Sequence, residues 1–254
     1  MTSVKPHAQP VAVVTGGAGG IGSAICRALA AGGFTVVVGY ASSATEAAAL
    51  AARLPAGDHD AYALPVTDSA TLAAGAQRLA AHYGRCDVLV NCAGTTRFVP
   101  HADLDALDDA TIDAILSVNV RGAFAAVRAF RPMLQVSGQE GGGVVINLSS
   151  TAAQSAIGSN VMYCASKAAL DNMTRSLARA LAPRIRVLSV SPGLVDTEFV
   201  RALDPAWRKE QADRTPLGRL SHPEEIARAV LAATTQLTFS TGSVLLVDGG
   251  RLLA

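Results

Sequence analysis

The sequence has few charged and few aromatic residues, and its charges nearly cancel. Of its 254 residues, 16% are Asp, Glu, Lys or Arg and 4% are Phe, Trp or Tyr, whereas 50% are hydrophobic. A disordered chain needs the opposite balance of charge and hydrophobicity, so disorder is excluded. The formal net charge is +1 and the charges are scattered, which gives no reason to expect a nucleic-acid or membrane partner. We predict a globular protein that binds small molecules or copies of itself.

Metal-binding and disulfide patterns are also missing from the sequence. No two cysteines have the CxxC spacing, and no Cys/His group has the spacing of a zinc site. We therefore predict no metal and four free thiols in a reducing compartment, namely Cys26, Cys86, Cys92 and Cys164. Residues 1–10 lack the apolar core of a signal peptide, so we predict a cytoplasmic protein.

One uncharged stretch, 229–247, is long enough to cross a bilayer. Threonine, serine and glycine residues fill its middle, which favours a helix, a loop and a short strand at 244–247 instead.

The rest of the chain alternates short β-branched runs with alanine-rich helical stretches. Strands are predicted at 11–15, 35–40, 61–66, 88–91, 144–149 and 185–191, and helices at 21–31, 45–54, 69–83, 111–136 and 163–181.

This regular alternation of strands and helices predicts a parallel sheet covered by helices on both faces. The apolar runs do not alternate with polar residues, as is typical of strands buried on both sides. Ser221 is predicted to cap a helix that contains Pro223 and Glu224 in its first turn. Gly32 and Gly33 are predicted to end the first helix, because glycine adopts left-handed backbone conformations without strain. We find no linker or repeat and predict one domain, residues 1–254.

A glycine-rich segment, Thr15 to Gly22, lies between the first predicted strand and the first predicted helix. Its pattern is G-x3-G-x-G, formed by Gly16, Gly20 and Gly22. Glycines at this point allow a sharp turn and let a pyrophosphate approach the free N–H groups of a helix N-terminus. A flexible turn is the alternative, but the position after a first strand favours dinucleotide binding.

A second pattern combines a serine, a tyrosine and a lysine. Tyr163 follows Ser150 by 13 residues and precedes Lys167 by four, so the tyrosine and the lysine share one face of a predicted helix. A phenol is a poor base at neutral pH unless a neighbouring cation stabilises its anion, and a lysine one turn away can do so. An ordinary amphipathic helix with a surface lysine is the alternative.

With these motifs, the chain from about Val11 to Gly250 resembles the classical short-chain dehydrogenases/reductases, in particular their 3-oxoacyl-[acyl-carrier-protein] reductases. Further matches are Asn91-Cys92-Ala93-Gly94, Asn119, Pro192-Gly193 and Val247-Asp248-Gly249-Gly250. The resemblance implies a doubly wound Rossmann-type α/β fold with about seven parallel strands. It also implies a homotetramer that packs the helices containing Asn119 and Tyr163 against a neighbour.

The resemblance further implies an oxidoreductase that interconverts a carbonyl and a secondary alcohol by direct hydride transfer. Tyr163 would be the general acid/base, Lys167 would support it, and Ser150 would bond the substrate oxygen. Asn119 would help to hold a water of the proton relay. Cofactor-binding residues would be Gly16, Gly20, Ile21, Gly22, Tyr40, Ser42, Ser43, Asn91, Ala93, Gly94, Tyr163, Lys167, Pro192, Gly193, Val195 and Thr197.

The cofactor is predicted to be NADP(H), with NAD(H) possible. Residues 39–43 contain no Asp or Glu that would repel the 2′-phosphate of NADP(H), and the hydroxyl groups of Ser42 and Ser43 could form hydrogen bonds with that phosphate. The basic residue that often binds the phosphate in relatives is also missing after this strand. Pro65 replaces the Asp or Asn that relatives use near the adenine, and Asp68 is predicted to cap the next helix.

The substrate is expected to be a small carbonyl compound or alcohol, selected by segments 95–104 and 194–216. In the second segment, Phe199, Leu203 and Trp207 could form an apolar lid, with solvated charges at Arg201, Arg208 and Lys209. A 3-oxoacyl thioester, a sugar or polyol, a steroid and a small ketone all remain open as substrates. A sugar, polyol or steroid dehydrogenase would use NAD as its cofactor. A dinucleotide-sensing protein without catalysis is the main alternative. A hydrolase using Ser149 or Ser150 lacks a nucleophile elbow.

Overall fold

In the computed structural model, which describes residues 8–55 and 57–253, seven strands form a single parallel sheet. The spatial order is β3-β2-β1-β4-β5-β6-β7, and all six neighbouring pairs are parallel. The strands are β1 (Val11–Thr15), β2 (Thr35–Tyr40), β3 (Asp60–Ala63), β4 (Val88–Asn91), β5 (Gly143–Leu148), β6 (Ile185–Pro192) and β7 (Val244–Val247). The predicted doubly wound α/β fold is confirmed, because the strand order reverses between β1 and β4.

Ten α-helices among the described residues connect and cover these strands. They are α1 (Gly20–Ala31), α2 (Ala44–Ala51), α3 (Ser69–Tyr83), α4 (Asp109–Leu116), α5 (Ala123–Leu134), α6 (Ala152–Ser155), α7 (Val161–Leu181), α8 (Glu198–Arg201), α9 (Pro205–Asp213) and α10 (Pro223–Thr235). A π-helical turn, Ser117–Gly122, joins α4 to α5, and a 3-10 turn, Arg251–Leu253, follows β7.

The core lies in two layers, one on each side of the sheet. Val14 and Val38 face the layer formed by α1, α2 and α10, whereas Val13 and Val37 face the layer formed by α3, α5 and α7. All four valines are fully buried, because successive side chains of a strand point to opposite faces and both faces are covered. The prediction of strands buried on both sides is confirmed.

The predicted strand 61–66 is wrong at both ends. β3 is an edge strand that pairs only with β2, from Asp60 opposite Val37 to Ala63 opposite Tyr40. Pro65 has no N–H to donate, and its carbonyl accepts the N–H of Asp68, which turns the chain away from the sheet. Asp68 caps α3 as predicted, because its carboxylate accepts the N–H groups at positions 70 and 71. A hydrogen bond from the Thr71 hydroxyl, together with these two N–H bonds, holds the pKa of the Asp68 carboxylate below its usual range.

Four predicted helices also differ in their bounds, the first of them only because it begins at Gly20 and not at 21. The second helix ends at Ala51 and not at 54, and the helix around the tyrosine begins at Val161. The predicted helix 111–136 is interrupted by the π-helical turn. The end of α1 matches its prediction, since Gly33 has a φ of 87°.

The predicted cap of α10 at Ser221 is wrong by one residue. The helix begins at Pro223, His222 is the cap, and Glu225 accepts the His222 N–H at 2.8 Å. Ser221 instead pairs with Val195 in an isolated bridge and donates its hydroxyl to the Leu194 carbonyl. Two hydrogen bonds from Arg219 contribute most to lowering the pKa of Glu225, to about 2.

Within the described part of the chain, one helical stretch, 109–134, is long and apolar enough to cross a membrane by length and composition. Its α5 part places Val127, Phe130 and Leu134 in the core beside the sheet. A core helix passes the same test. The uncharged stretch 229–247 consists of the end of α10, a loop and β7, as predicted.

Candidate active site

The glycine-rich loop after β1 is folded so tightly that two of its glycines, Gly16 and Gly22, have no room for a side chain. A Cβ atom on Gly22 would lie 2.2 Å from the Gly16 carbonyl oxygen. Gly16 has a φ of 64°, and a Cβ on it would lie 2.9 Å from the Cα of Ala93. The loops that follow β1 and β4 are therefore in direct backbone contact, which explains glycine at both positions.

The N-terminus of α1 faces the carboxyl edge of the sheet. The Ser23 N–H makes the first intrahelical bond, to the Gly19 carbonyl at 2.7 Å. The N–H groups of Gly20, Ile21 and Gly22 therefore have no acceptor within the helix. Such a cradle of free N–H groups with no side chains in the way fits the diphosphate of a dinucleotide.

The end of β2 supplies the next part of this surface. Tyr40 is half-buried, and Ser42 and Ser43 are exposed just before α2 begins at Ala44. Gly39 accepts the N–H of Gly17 at 2.8 Å, which places the end of β2 beside the glycine-rich loop. The first carboxylate after β2 is that of Glu46, inside α2. The residues between Tyr40 and α2 therefore present hydroxyl and N–H groups without a negative charge.

The α7 helix carries Tyr163 in its first turn and Lys167 one turn later. The Lys167 ammonium lies 5.7 Å from the centroid of the Tyr163 ring, which confirms that both residues share one helix face. It also donates a hydrogen bond of 2.7 Å to the carbonyl of Leu148, the last residue of β5. The lysine is only 7% exposed, so it is held in place. The same strand end brings Ser150 to this region, half-buried, where its hydroxyl accepts the Ala152 N–H.

Asn119 lies in the π-helical turn and is 2% exposed, so its side chain does not face solvent. Its side chain accepts the Thr95 N–H at 2.8 Å and donates to the Thr95 carbonyl at 3.0 Å. It also donates to the Ser166 hydroxyl at 3.1 Å, on the face of α7 near the tyrosine. A Cβ on Gly94 would lie 3.5 Å from the Asn119 Oδ1 and 3.8 Å from the Lys167 Nζ. Asn119, Gly94 and Lys167 are therefore neighbours.

π-Helical turns occur often at functional sites. Gly122 is the last residue of this turn and has little room for a side chain, because a Cβ on it would lie 2.7 Å from a methyl group of Val66. The asparagine and the glycine inside a long helical pattern were the available sequence signals, but neither specifies a π turn.

Asn160 is a site residue that the sequence interpretation missed. It caps α7 by accepting the Tyr163 N–H at 2.7 Å, and its amide donates to the Arg97 carbonyl at 2.7 Å. It is 1% exposed. Beside it, the Ser159 carbonyl accepts the Val99 N–H at 2.8 Å. Asn160 thus fixes the tyrosine's turn of α7 to the loop after β4, and an asparagine three residues before the tyrosine was the signal for this cap.

We expect Asn160→Ala to lower the free energy of unfolding by about 1–3 kcal/mol, because it removes a helix cap and the hydrogen bond from the buried Asn160 amide to the Arg97 carbonyl. Denaturant unfolding followed by circular dichroism measures this change. Asn172→Ala, at an exposed position of the same helix, is the matched control and should change stability little. Equal stability of both variants would contradict the prediction.

A sequence model of one protein family, described as enoyl-(acyl carrier protein) reductase, matches residues 16–251. The match includes the glycine-rich loop, the π-helical turn and α7. The chain belongs to the short-chain dehydrogenase/reductase family. It is therefore a short-chain oxidoreductase with a nicotinamide dinucleotide as its cofactor.

Two relatives within the short-chain dehydrogenase/reductase family cover almost the entire chain. One, from Streptomyces violaceoruber, is named as ketoacyl reductase 2 of the granaticin polyketide synthase; it is 40% identical and is matched over 100% of both chains. The other is a cis-4-hydroxycyclohexanecarboxylate dehydrogenase from Sinomonas cyclohexanicum, 38% identical over 97% of this chain and 98% of its own.

Two solved structures of similar proteins contain a nicotinamide dinucleotide. A gluconate 5-dehydrogenase from Burkholderia cenocepacia, in complex with NADP and tartrate, has a TM-score of 0.88 and 30% identity over 96% of each chain. A 3-ketoacyl-(acyl-carrier-protein) reductase from Brucella melitensis, in complex with NADH, has a TM-score of 0.84 and 30% identity over 95% of this chain and 98% of its own. These neighbours differ in cofactor, so they do not decide the preference of this chain.

Four further residues predicted to bind the cofactor follow one another around this edge of the sheet, namely Pro192, Gly193, Val195 and Thr197. Pro192 ends β6, and the Gly193 N–H bonds to the carbonyl of Val247. Val195 is buried. The methyl group of Thr197 lies 3.2 Å from the position of a Cβ on Gly20, so this segment reaches the glycine-rich loop.

Asn91 points into a buried polar network and not toward the cleft. Its amide donates to the Asn147 side chain at 2.9 Å and to the Ala123 carbonyl at 3.3 Å. Asn147 in turn donates to the Thr174 hydroxyl at 2.8 Å. These bonds connect β4 and β5 to α5 and α7, which supports a role for Asn91 in steadying the central strands.

The four cysteines are free thiols, as predicted, and three of them are buried. Burial raises the pKa of the Cys92 thiol to about 11, although the charge of Lys167 acts in the opposite direction. Burial also raises the pKa of Cys164, the neighbour of the tyrosine. Both are protonated at neutral pH, so neither is a nucleophile.

In the described ranges, 8–55 and 57–253, no cluster of Cys, His, Asp or Glu could hold a metal ion.

Proposed function

We propose that the protein is an NADP(H)-dependent oxidoreductase that interconverts a carbonyl and a secondary alcohol, with Tyr163 as the general acid/base. The observation that carries this proposal is the position of Lys167. Its ammonium is buried, is fixed to the Leu148 carbonyl, and lies beside the Tyr163 ring on the same helix face. A phenol held beside a fixed cation suits proton transfer to or from a substrate oxygen.

The glycine-rich loop and the N-terminus of α1 would hold a nicotinamide dinucleotide, which would supply the hydride in reduction and accept it in oxidation. In reduction, the Tyr163 hydroxyl donates its proton to the carbonyl oxygen, and in oxidation the tyrosine oxygen accepts the proton of the alcohol. Lys167 stabilises the negative charge on the tyrosine oxygen. Ser150 donates a hydrogen bond to the substrate oxygen as charge develops there. Asn119 positions the loop after β4 and supports the proton relay from the π-helical turn.

The preference for NADP(H) is proposed from the end of β2. Ser42 and Ser43 are exposed at the N-terminus of α2, where hydroxyl and N–H groups can bond a 2′-phosphate. A carboxylate at this place would accept hydrogen bonds from the ribose hydroxyls and repel a phosphate, and no carboxylate lies between Tyr40 and α2. NADH binding by the Brucella melitensis neighbour makes NAD(H) the alternative.

We expect the protein to bind NADPH about tenfold or more tightly than NADH, measured by titration with nicotinamide fluorescence. Ser42→Asp should lower or reverse the ratio of NADPH affinity to NADH affinity, because a carboxylate at this position repels the 2′-phosphate. Ser42→Ala is the matched control, since it removes the hydroxyl without adding charge and should weaken NADPH binding only modestly. Tighter NADH binding by the unchanged protein, or an unchanged ratio in Ser42→Asp, would contradict the proposed preference.

A homotetramer and a cytoplasmic location are also proposed. Phe124 of α5 is 45% exposed and Val161 of α7 is 40% exposed, which gives both helices apolar surface for packing against a second copy. These are the helices that the family resemblance places at the contact between subunits.

A further inference from the structure

Three aromatic side chains from distant parts of the sequence meet at the surface. Phe98, in the loop after β4, stacks on Phe199 of α8, with ring centroids 6.1 Å apart and planes inclined by 13°. Trp207 of α9 meets Phe98 edge to face, at 6.2 Å and 88°. Phe98 is 48% exposed and Phe199 is 59% exposed. We call these three residues the aromatic cluster; such exposed apolar surface indicates a place where something binds.

The aromatic cluster joins two chain segments that are each anchored to a different part of the candidate site. On one side, the Phe98 segment is bonded to the N-terminus of α7, through Val99 to Ser159 and through Arg97 to Asn160. Ser159 and Asn160 precede the catalytic tyrosine by four and three residues. On the other side, Phe199 follows by two residues the threonine whose methyl group lies against the glycine-rich loop. The aromatic cluster therefore lies where a substrate must pass or rest.

The charges around the aromatic cluster are paired with one another. Asp196 accepts hydrogen bonds from Arg201 at 3.1 Å and from Arg208 at 2.8 Å. Arg97 forms an ion pair with Asp108 at 3.2 Å. Arg208 is therefore not the freely solvated charge that the sequence suggested. Each of these three arginines already has a carboxylate partner, which weakens the attraction of this surface for a phosphate or a carboxylate and favours an uncharged ligand.

We propose that the aromatic cluster is the binding wall for an uncharged ketone or alcohol that carries an aromatic ring, and that Phe98 and Phe199 determine this specificity. The inference rests on the proposed function, because it assigns the substrate class of the same site. A flat ring stacks on an aromatic face or meets its edge more favourably than an aliphatic chain of equal carbon number, by about twofold to tenfold for each ring contact.

The test uses two methyl ketones of eight carbons each, acetophenone and 2-octanone. Isothermal titration calorimetry measures their affinities for protein saturated with NADP⁺, or with NAD⁺ if it binds more tightly, where no turnover occurs. We expect the unchanged protein to bind acetophenone at least about fivefold more tightly than 2-octanone. The double variant Phe98→Leu/Phe199→Leu keeps apolar side chains but lacks the two phenyl rings to which the specificity is assigned, so its two affinities should be equal within about twofold. Phe239→Leu, at a fully exposed phenylalanine after α10, is the matched control and should keep the preference.

Reduction of both ketones by NADPH, or by NADH if that binds more tightly, is measured in parallel as kcat/KM. Equal binding of the two ketones by the unchanged protein, or a preference that survives in the double variant, would overturn the inference. Preferential binding of acetophenone without any turnover of either ketone would support the binding wall and count against the proposed carbonyl reduction. Retained cofactor affinity in the double variant confirms that it is folded.

Discussion

Tyr163→Phe is expected to lower kcat by about 10²–10⁴-fold, the usual contribution of a positioned general acid or base. The ring remains in place beside Lys167, so the affinity for the nicotinamide cofactor should stay within about threefold of its original value. The kcat is measured as NADPH oxidation with the best substrate of a panel that includes acetophenone and an acetoacetyl thioester. Cofactor binding is measured separately by fluorescence titration.

Tyr62→Phe is the matched control for this prediction. Tyr62 lies in the edge strand β3, is 1% exposed, and its hydroxyl has no hydrogen-bond partner among the described residues. Removing that hydroxyl should leave turnover unchanged. Full activity of Tyr163→Phe would refute the assignment of the acid/base. Loss of cofactor binding in that variant would instead indicate that the tyrosine hydroxyl mainly serves binding.

Gly22→Ala is expected to weaken dinucleotide binding by about tenfold to a hundredfold and to lower Tm. The new Cβ would lie 2.2 Å from the Gly16 carbonyl oxygen and 2.9 Å from the Gly17 Cα. Both are backbone atoms and cannot rotate away, so the loop must open. The free N–H groups of the α1 N-terminus would then no longer point to one place.

Gly19→Ala, in the same loop, distinguishes this effect from a general loss of flexibility. A Cβ on Gly19 would have its closest contact at 3.4 Å, and Gly19 has a φ of −73°, which alanine adopts readily. We expect cofactor affinity within about threefold of the original for Gly19→Ala. Fluorescence titration and thermal unfolding of the two variants provide the comparison. Similar affinities for both variants would show that the tight packing of the loop does not matter for binding.

The sequence was sufficient to predict the fold because its signals are local. Runs of β-branched residues such as Val11–Thr15 indicate buried strands, and the regular α/β alternation leaves few arrangements other than a parallel sheet. The shared face of Tyr163 and Lys167 follows from the 3.6-residue period of a helix. Asp68 could be recognised as a cap because its chemistry involves only the next three residues.

The sequence was less informative where a local pattern competed with a distant contact. Ser221 has good capping chemistry, but its backbone pairs with Val195, so the helix begins one residue later. The helical period around Asn119 continues without a break, yet the structure has a π turn there, where the side chain bonds to Thr95. In both cases the partner is more than twenty residues away, where periodicity carries no information.

The sequence by itself thus determined the sheet, the glycine-rich loop and the spacing of serine, tyrosine and lysine. Only the tertiary structure decided that Asn160 joins α7 to Arg97 and that Phe98 meets Phe199, which lies about a hundred residues further along the chain. The physical reason is that strand order and loop packing bring these residues together. Their side-chain contacts depend on the complete fold and not on any pattern of neighbouring residues.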